Sequence, residues 1–227
     1  YHDQFNEGQR GVIDMLELEE ANLLAARRIA RQQQWWHPVT LSLQGLKALY
    51  GYQGRSAEWA RLVSEIVPDY CSPEDEPLSG REDHYSLVMG YRVDLARNVD
   101  RDPALAMALQ AKDVAFDRQQ AAAALALPAE QEIPPDQRNA VHTLVASLVT
   151  LGQLQHDAAE ATSVATFLEA SRLCGRIGEC AAQAIAEFNL GQAYTLLPAV
   201  RDLQAAEAAF QRSLDLFAPQ DTLSRSA

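Results

Sequence analysis

Between Ala181 and Pro219 the chain reads AAQAIAEFNLGQAYTLLPAVRDLQAAEAAFQRSLDLFAP, and the order of small and large residues in this stretch restricts the fold more than any other feature. Leu190-Gly191 is followed by Tyr194 three residues after the glycine, Ala206 by Phe210 four residues on, and Pro219 stands just past the apolar run. Spacings of three and four place each set on one face of a helix. The stretch therefore reads as two helices that approach closely at Gly191 and Ala206 and stop at a proline that cannot extend the second. Tyr194 and Phe210 are expected to fill the gaps towards the next pair, each worth about 1.5–3 kcal/mol when fully buried. One helix pair cannot cover its own apolar face, so stacking with further pairs is obligatory.

Composition agrees with a helical chain. Of 227 residues, 48% are hydrophobic and 22% charged, enough to bury a large core and too apolar for disorder. Helix formers dominate, only 11 glycines are present, and the alternating β-branched runs that mark strands are missing, so the chain reads as all-α. The formal net charge is −12 and the pI about 4.8, with no block of lysine and arginine that could track phosphates. Nucleic acid and anionic membranes are thereby excluded as expected partners, and a neutral to basic protein or peptide is favoured. No uncharged apolar run reaches the roughly 18 residues of a membrane span, and no charged-then-apolar signal opens the chain, which implies a cytoplasmic location. A start at Tyr1 without methionine suggests a fragment of a longer protein. Cys71, Cys174 and Cys180 lack paired spacing and read as ordinary reduced thiols.

Taken in order, the chain divides into about nine helices. Residues 1–15 read as a short or frayed helix, and an amphipathic helix follows over 17–34, ended by Trp35-Trp36-His37-Pro38. Helices over 39–52 and 56–67 are joined by a turn at Gln53-Gly54-Arg55. Residues 68–80, with Glu74-Asp75-Glu76, read as a solvated acidic loop, and Ser79 with Glu82 as a capping box for the helix that runs to Asn98. Asp102-Pro103 begins a helix reaching towards Leu127, and Asp136 caps one reaching His156. Asp157 with Glu160 forms a second possible capping box, Gly175 is the expected left-handed terminator of the helix after it, and Gln220–Ala227 is an expected frayed tail.

The motif at Leu190-Gly191, Tyr194, Ala206, Phe210 and Pro219 resembles the tetratricopeptide repeat, whose helices carry L-G-x2-Y and A-x3-F. The resemblance implies one domain over 1–227. In it antiparallel helix pairs, at 39–67, 81–127, 136–174 and 179–218, stack into a right-handed α-solenoid, with 17–34 the helix of an incomplete pair. Gly90 and Gly152 would be the close-packing positions of earlier copies. Gly45 and Ala57 match a further copy, degenerate because Arg61 stands where a phenylalanine is expected; Glu187 replaces the usual tryptophan, and the turn LPAVRD is about three residues longer than the pattern. The family's concave groove, carried over through the glycines, implies partner contacts at Tyr91, Asp94, Gln153, His156, Asp157, Gln192 and Thr195. A second resemblance, over 17–63, is to the helical repeats that follow the nucleotide-binding segments of bacterial signal-transducing ATPases of the NB-ARC class. No G-x4-G-K-[ST] loop accompanies it, so this chain would be the sensor or autoinhibitory part, acting on other domains of its own polypeptide.

Catalysis finds no motif. Ser163 and Ser171 lack a nucleophile signature, Cys174 and Cys180 lack an arranged histidine, and no glycine-rich phosphate cradle exists. His142 and His156 lie fourteen apart on one helix without a third ligand, and Glu74, Asp75 and Glu76 lack the spacing of a calcium loop, so neither metal nor cofactor is expected. Trp59 reads as packing between helices, whereas Trp35 and Trp36 suit either packing or a partner. The sequence thus points to a non-catalytic interaction scaffold that binds a protein or peptide, with the sensor of a larger regulator as the alternative.

Overall fold

The computed structural model describes residues 11–128 and 131–217, so the tail over 220–227, Pro219 and the first ten residues lie outside the described residues. Among the described residues all regular elements are helices, apart from one isolated bridge between Cys71 and Pro77. The chain forms two compact units, Tyr1–Asp102 and Pro103–Ala227.

The first unit holds α1 (Val12–Gln32), α2 (Trp36–Gln53), α3 (Ser56–Tyr70) and α4 (Glu82–Asn98). Helix α1 packs along α2, and α3 and α4 pack on each other and on α2. Leu43, Leu46, Leu49, Ile66 and Met89 are fully buried between them. Helix α1 starts five residues before Glu17, because Val12, Ile13 and Leu16 have a core to enter and are at most 4% exposed. Pro38 does not delay α2, which begins at Trp36 rather than Val39. Amides of a first helical turn have no intrahelical acceptor, so the proline loses nothing there. The chain turns between α1 and α2 at Gln34, with φ 57°.

Gly54 ends α2 in the left-handed conformation at φ 70°, and Arg55 then folds back. Its guanidinium carbon lies 4.2 Å from the centre of the Tyr50 ring. It donates to Glu20 on α1 at 2.8 Å and to Glu58 on α3 at 2.9 Å. The Tyr50 hydroxyl donates to the other Glu20 oxygen at 2.7 Å, and burial together with that carboxylate pushes it up to about 12. The Gly-Arg turn is thus a clamp on three helices.

The loop after α3 is anchored rather than simply solvated. Ser72 Oγ accepts from the amides of Glu74 and Glu76 at 3.2 and 3.3 Å, the Tyr85 hydroxyl donates to the Asp75 carbonyl at 2.6 Å, and Arg92 pairs with the Asp75 carboxylate. Ser79 and Glu82 form no capping box. Helix α4 opens with Arg81 at the N-cap, so Glu82 is the first helical residue and out of register for the reciprocal bond.

The second unit holds α5 (Pro103–Gln120), α6 (Ala122–Leu125), α7 (Pro135–Asp157), α8 (Thr162–Ile177), α9 (Cys180–Leu196), a short 3₁₀ turn at Pro198–Val200 and α10 (Leu203–Leu216). Helix α5 packs on α7, α7 on α8, α8 on α9, and α9 on α10. The helix expected to reach Leu127 breaks at Ala121, which is buried. Asp136 makes no cap because Pro134 and Pro135 already hold the entrance to α7. Asp157 is the last residue of α7, and α8 opens at Thr162 behind Ala161, so the second expected capping box is also out of register. Gly178, with φ 75°, ends α8, while Gly175 lies inside it.

Two contacts repeat in this unit. A Cβ on Gly152 of α7 would stand 2.5 Å from the Phe167 ring of α8, and one on Gly191 of α9 would stand 2.6 Å from the Phe210 ring of α10. Each ring therefore lies directly on glycine backbone. Glu187, 5% exposed, accepts from Ser171 of α8 at 2.5 Å and from Arg212 of α10 at 2.9 Å, tying three helices through one carboxylate. Buried Ser147 of α7 likewise donates towards Asp113 and Asp117 of α5, while its carbonyl accepts from Gln110.

Candidate partner-binding surfaces

In the second unit, α7 and α9 both pack on α8 and touch each other. Gln153 follows Gly152 and Gln192 follows Gly191, and both side chains are half-buried. The glycines force this placement: with Gly152 and Gly191 turned onto phenylalanine rings, the next residue on each helix is rotated by about 100° towards the surface. Thr195 Oγ1 donates to the Gly191 carbonyl at 2.8 Å, its own helix supplying the acceptor. His156 Nδ1 lies 3.7 Å from Asp157 Oδ1, and His156 Nε2 is buried without a hydrogen-bond partner.

The outward stripe of α9 is more apolar than the carried-over polar positions suggest. Ile185, Phe188 and Leu196 share it with Gln192 and Thr195, and they are 48%, 38% and 61% exposed. Phe188 also leans on Phe210, the ring centres 5.6 Å apart. Ile185, Phe188, Gln192 and Leu196 follow one another at steps of three, four and four, a second face of the same helix. Which of two apolar stripes on a helix faces inward is settled by the neighbours, here through Gly191.

In the first unit, Tyr91 lies away from the surface. It is 1% exposed, and its ring meets Trp59 edge-on at 5.0 Å. Burial raises its hydroxyl well above the ordinary tyrosine value. Trp59 is thereby a packing residue, 7% exposed. Asp94 pairs with Lys47 across α4 and α2, and Lys47 Nζ lies 5.3 Å from the centre of the Tyr91 ring. A cleft of about 250 Å³ opens beside this ion pair, lined by Tyr50, Gly51, Trp59, Leu95 and Val99. Within its unit, Gly90 has nothing within 4 Å of where its Cβ would stand. Lys47 was missed by sequence reading because its partner lies 47 residues away.

The other singled-out residues have structural neighbours. Trp36 meets Tyr70 edge-on at 5.6 Å and carries the Arg81 guanidinium 4.0 Å from its ring centre, whereas Trp35 is 57% exposed. His142 Nδ1 stands 2.7 Å from Glu179. Ser163 Oγ donates to the Glu160 carbonyl at 2.9 Å. Burial and the nearby Glu179 push the Cys174 thiol up to about 12, leaving it protonated near neutrality. Among the described residues no three His, Cys, Asp or Glu side chains converge as a metal site, and no helix is long and apolar enough to cross a membrane. Searches of protein-family models, curated proteins and solved structures returned no match to this chain.

Proposed function

We propose that the chain is a non-catalytic interaction domain whose pairs α7–α8 and α9–α10 belong to a right-handed, tetratricopeptide-like solenoid and bind an extended protein segment along α7 and α9. The observation that carries this reading is the repeated glycine-on-phenylalanine contact. In both pairs it turns a glutamine, Gln153 or Gln192, outward at the same step from the close-packing point. Glutamine amides can bond to the backbone of an extended peptide, while Ile185, Phe188 and Leu196 offer apolar contact for its side chains. The formal charge of −12 favours a neutral to basic segment, and a cytoplasmic location goes with this reading.

The test is to select binders from a random-peptide library displayed on phage and to measure the selected peptides by calorimetry. Gln192→Ala is expected to weaken binding by about 1 kcal/mol, roughly fivefold, without moving the melting temperature. Ile185→Asp is expected to weaken it further. Peptides that bind both variants as tightly as the parent would show that the α9 face is not the site.

A further inference from the structure

Helix α1 has two apolar faces, and the fold uses one. Val12, Ile13, Leu16 and Ala30 are buried. On the opposite side Met15, Leu18, Asn22, Ala25 and Ile29 follow one another at steps of three, four, three and four, the spacing of a seam between two paired helices. Leu18 is 84% exposed, Ile29 54% and Met15 49%.

The charges beside this seam are divided along the helix. Asp14 and Glu17 are exposed in its first half and Arg28 in its second, whereas Arg27 and Arg31 are held by Glu65 and Asp69 at 2.7 and 2.5 Å. A seam with an acidic end and a basic end is complementary to itself only when one copy is reversed. Antiparallel pairing brings Asp14 and Glu17 of each copy towards Arg28 of the other, and parallel pairing sets like charge on like. A two-fold axis generates the antiparallel arrangement from identical chains.

We infer that the exposed stripe of α1 is a self-association seam, on which a second copy of this chain docks its own α1 antiparallel. Asn22, the one polar residue in the seam, restricts the register in which two copies fit. A single helix stripe buries less than the roughly 1,600 Å² of a standard interface, so the dimer is concentration-dependent rather than permanent. The inference is independent of the peptide-binding reading, since it uses a different helix in a different unit.

Sedimentation equilibrium of the full chain over a concentration series tests it. The apparent mass is expected to rise from 25.0 kDa towards twice that value. Leu18→Glu should raise the dimer dissociation constant at least about tenfold while circular dichroism stays unchanged, because the residue lies in solvent. Asp14→Lys with Glu17→Lys should weaken pairing, as should Arg28→Glu alone, and an equimolar mixture of the two variants should pair again. A parent chain that stays monomeric, or a dimer indifferent to Leu18→Glu, overturns the inference. Charge variants that dimerise like the parent do the same for the antiparallel arrangement. A monomeric parent whose melting temperature drops with Leu18→Glu would show that a segment of its own polypeptide covers the stripe.

Discussion

Gly152 and Gly191 illustrate how much one side chain can settle. Each glycine is where it is because a phenylalanine ring from the next helix occupies the volume a Cβ would need. Gly191→Ala should cost about 1–3 kcal/mol despite the better helix propensity of alanine, since the added carbon has no room. In a Phe210→Leu background the same change should be neutral or stabilising, and a double-mutant cycle by urea denaturation reads the coupling. Additive effects would mean that the ring and the backbone do not meet. Glu187 was legible in the sequence only as a departure from the tetratricopeptide pattern, because Ser171 and Arg212, which justify its burial, lie on other helices. His84 has its own signature. It stacks on His37 at 5.6 Å, and burial first, then the neighbouring imidazole, lowers its proton affinity. The unfolded chain then binds the proton more tightly, so stability is full above the ordinary histidine value of 6.5 and declines as pH falls below it. His84→Gln should flatten that decline between about pH 7.5 and pH 5.5, read as the change in thermal midpoint.

The helices show where local sequence is a reliable guide and where it is not. Helix existence followed from apolar spacing, and the internal segments read as helices are helical, although the one expected over 103–127 is broken at Ala121. The ends were harder, because a cap is a bond in one register and the register depends on where packing starts the helix. Ser79 with Glu82 and Asp157 with Glu160 have the right spacing and the wrong start points. Asp202 is the cap that does form: Oδ1 accepts from the amides of Gln204 and Ala205 at 3.0 and 2.9 Å. Asp202→Ala should cost about 0.5–2 kcal/mol, with faster amide exchange confined to the first turn of α10. Unchanged exchange there would mean the cap contributes nothing.

For the chain as a whole, net charge and exposed apolar stripes matter more than any single bond. A formal charge of −12 creates a field that attracts basic segments before contact is made. The association rate of a lysine-bearing selected peptide should therefore fall as salt rises, while that of a neutral selected peptide should hardly change; stopped-flow fluorescence gives both. Equal salt dependence would remove charge from the account of partner choice. The division into Tyr1–Asp102 and Pro103–Ala227 falls at Asp102-Pro103, which the sequence marks as a helix start and nothing more. Unit boundaries follow from which long-range contacts form, and those contacts leave no local mark.

Helical class, the number and approximate extent of the long helices and the acidity were all determined by the sequence, because each depends on residues three or four apart or on composition alone. That Phe210 sits on Gly191 inside its own pair, rather than in the gap towards a next pair, was decided only in the folded chain. Other features needed the folded chain: the burial of Tyr91, the Lys47–Asp94 pair, the Arg55 clamp, and the exposure of one stripe on α1 and another on α9. An amphipathic helix announces that it has an apolar face, but a helix with two such faces buries whichever one its neighbours can fill, and those neighbours come from distant parts of the chain.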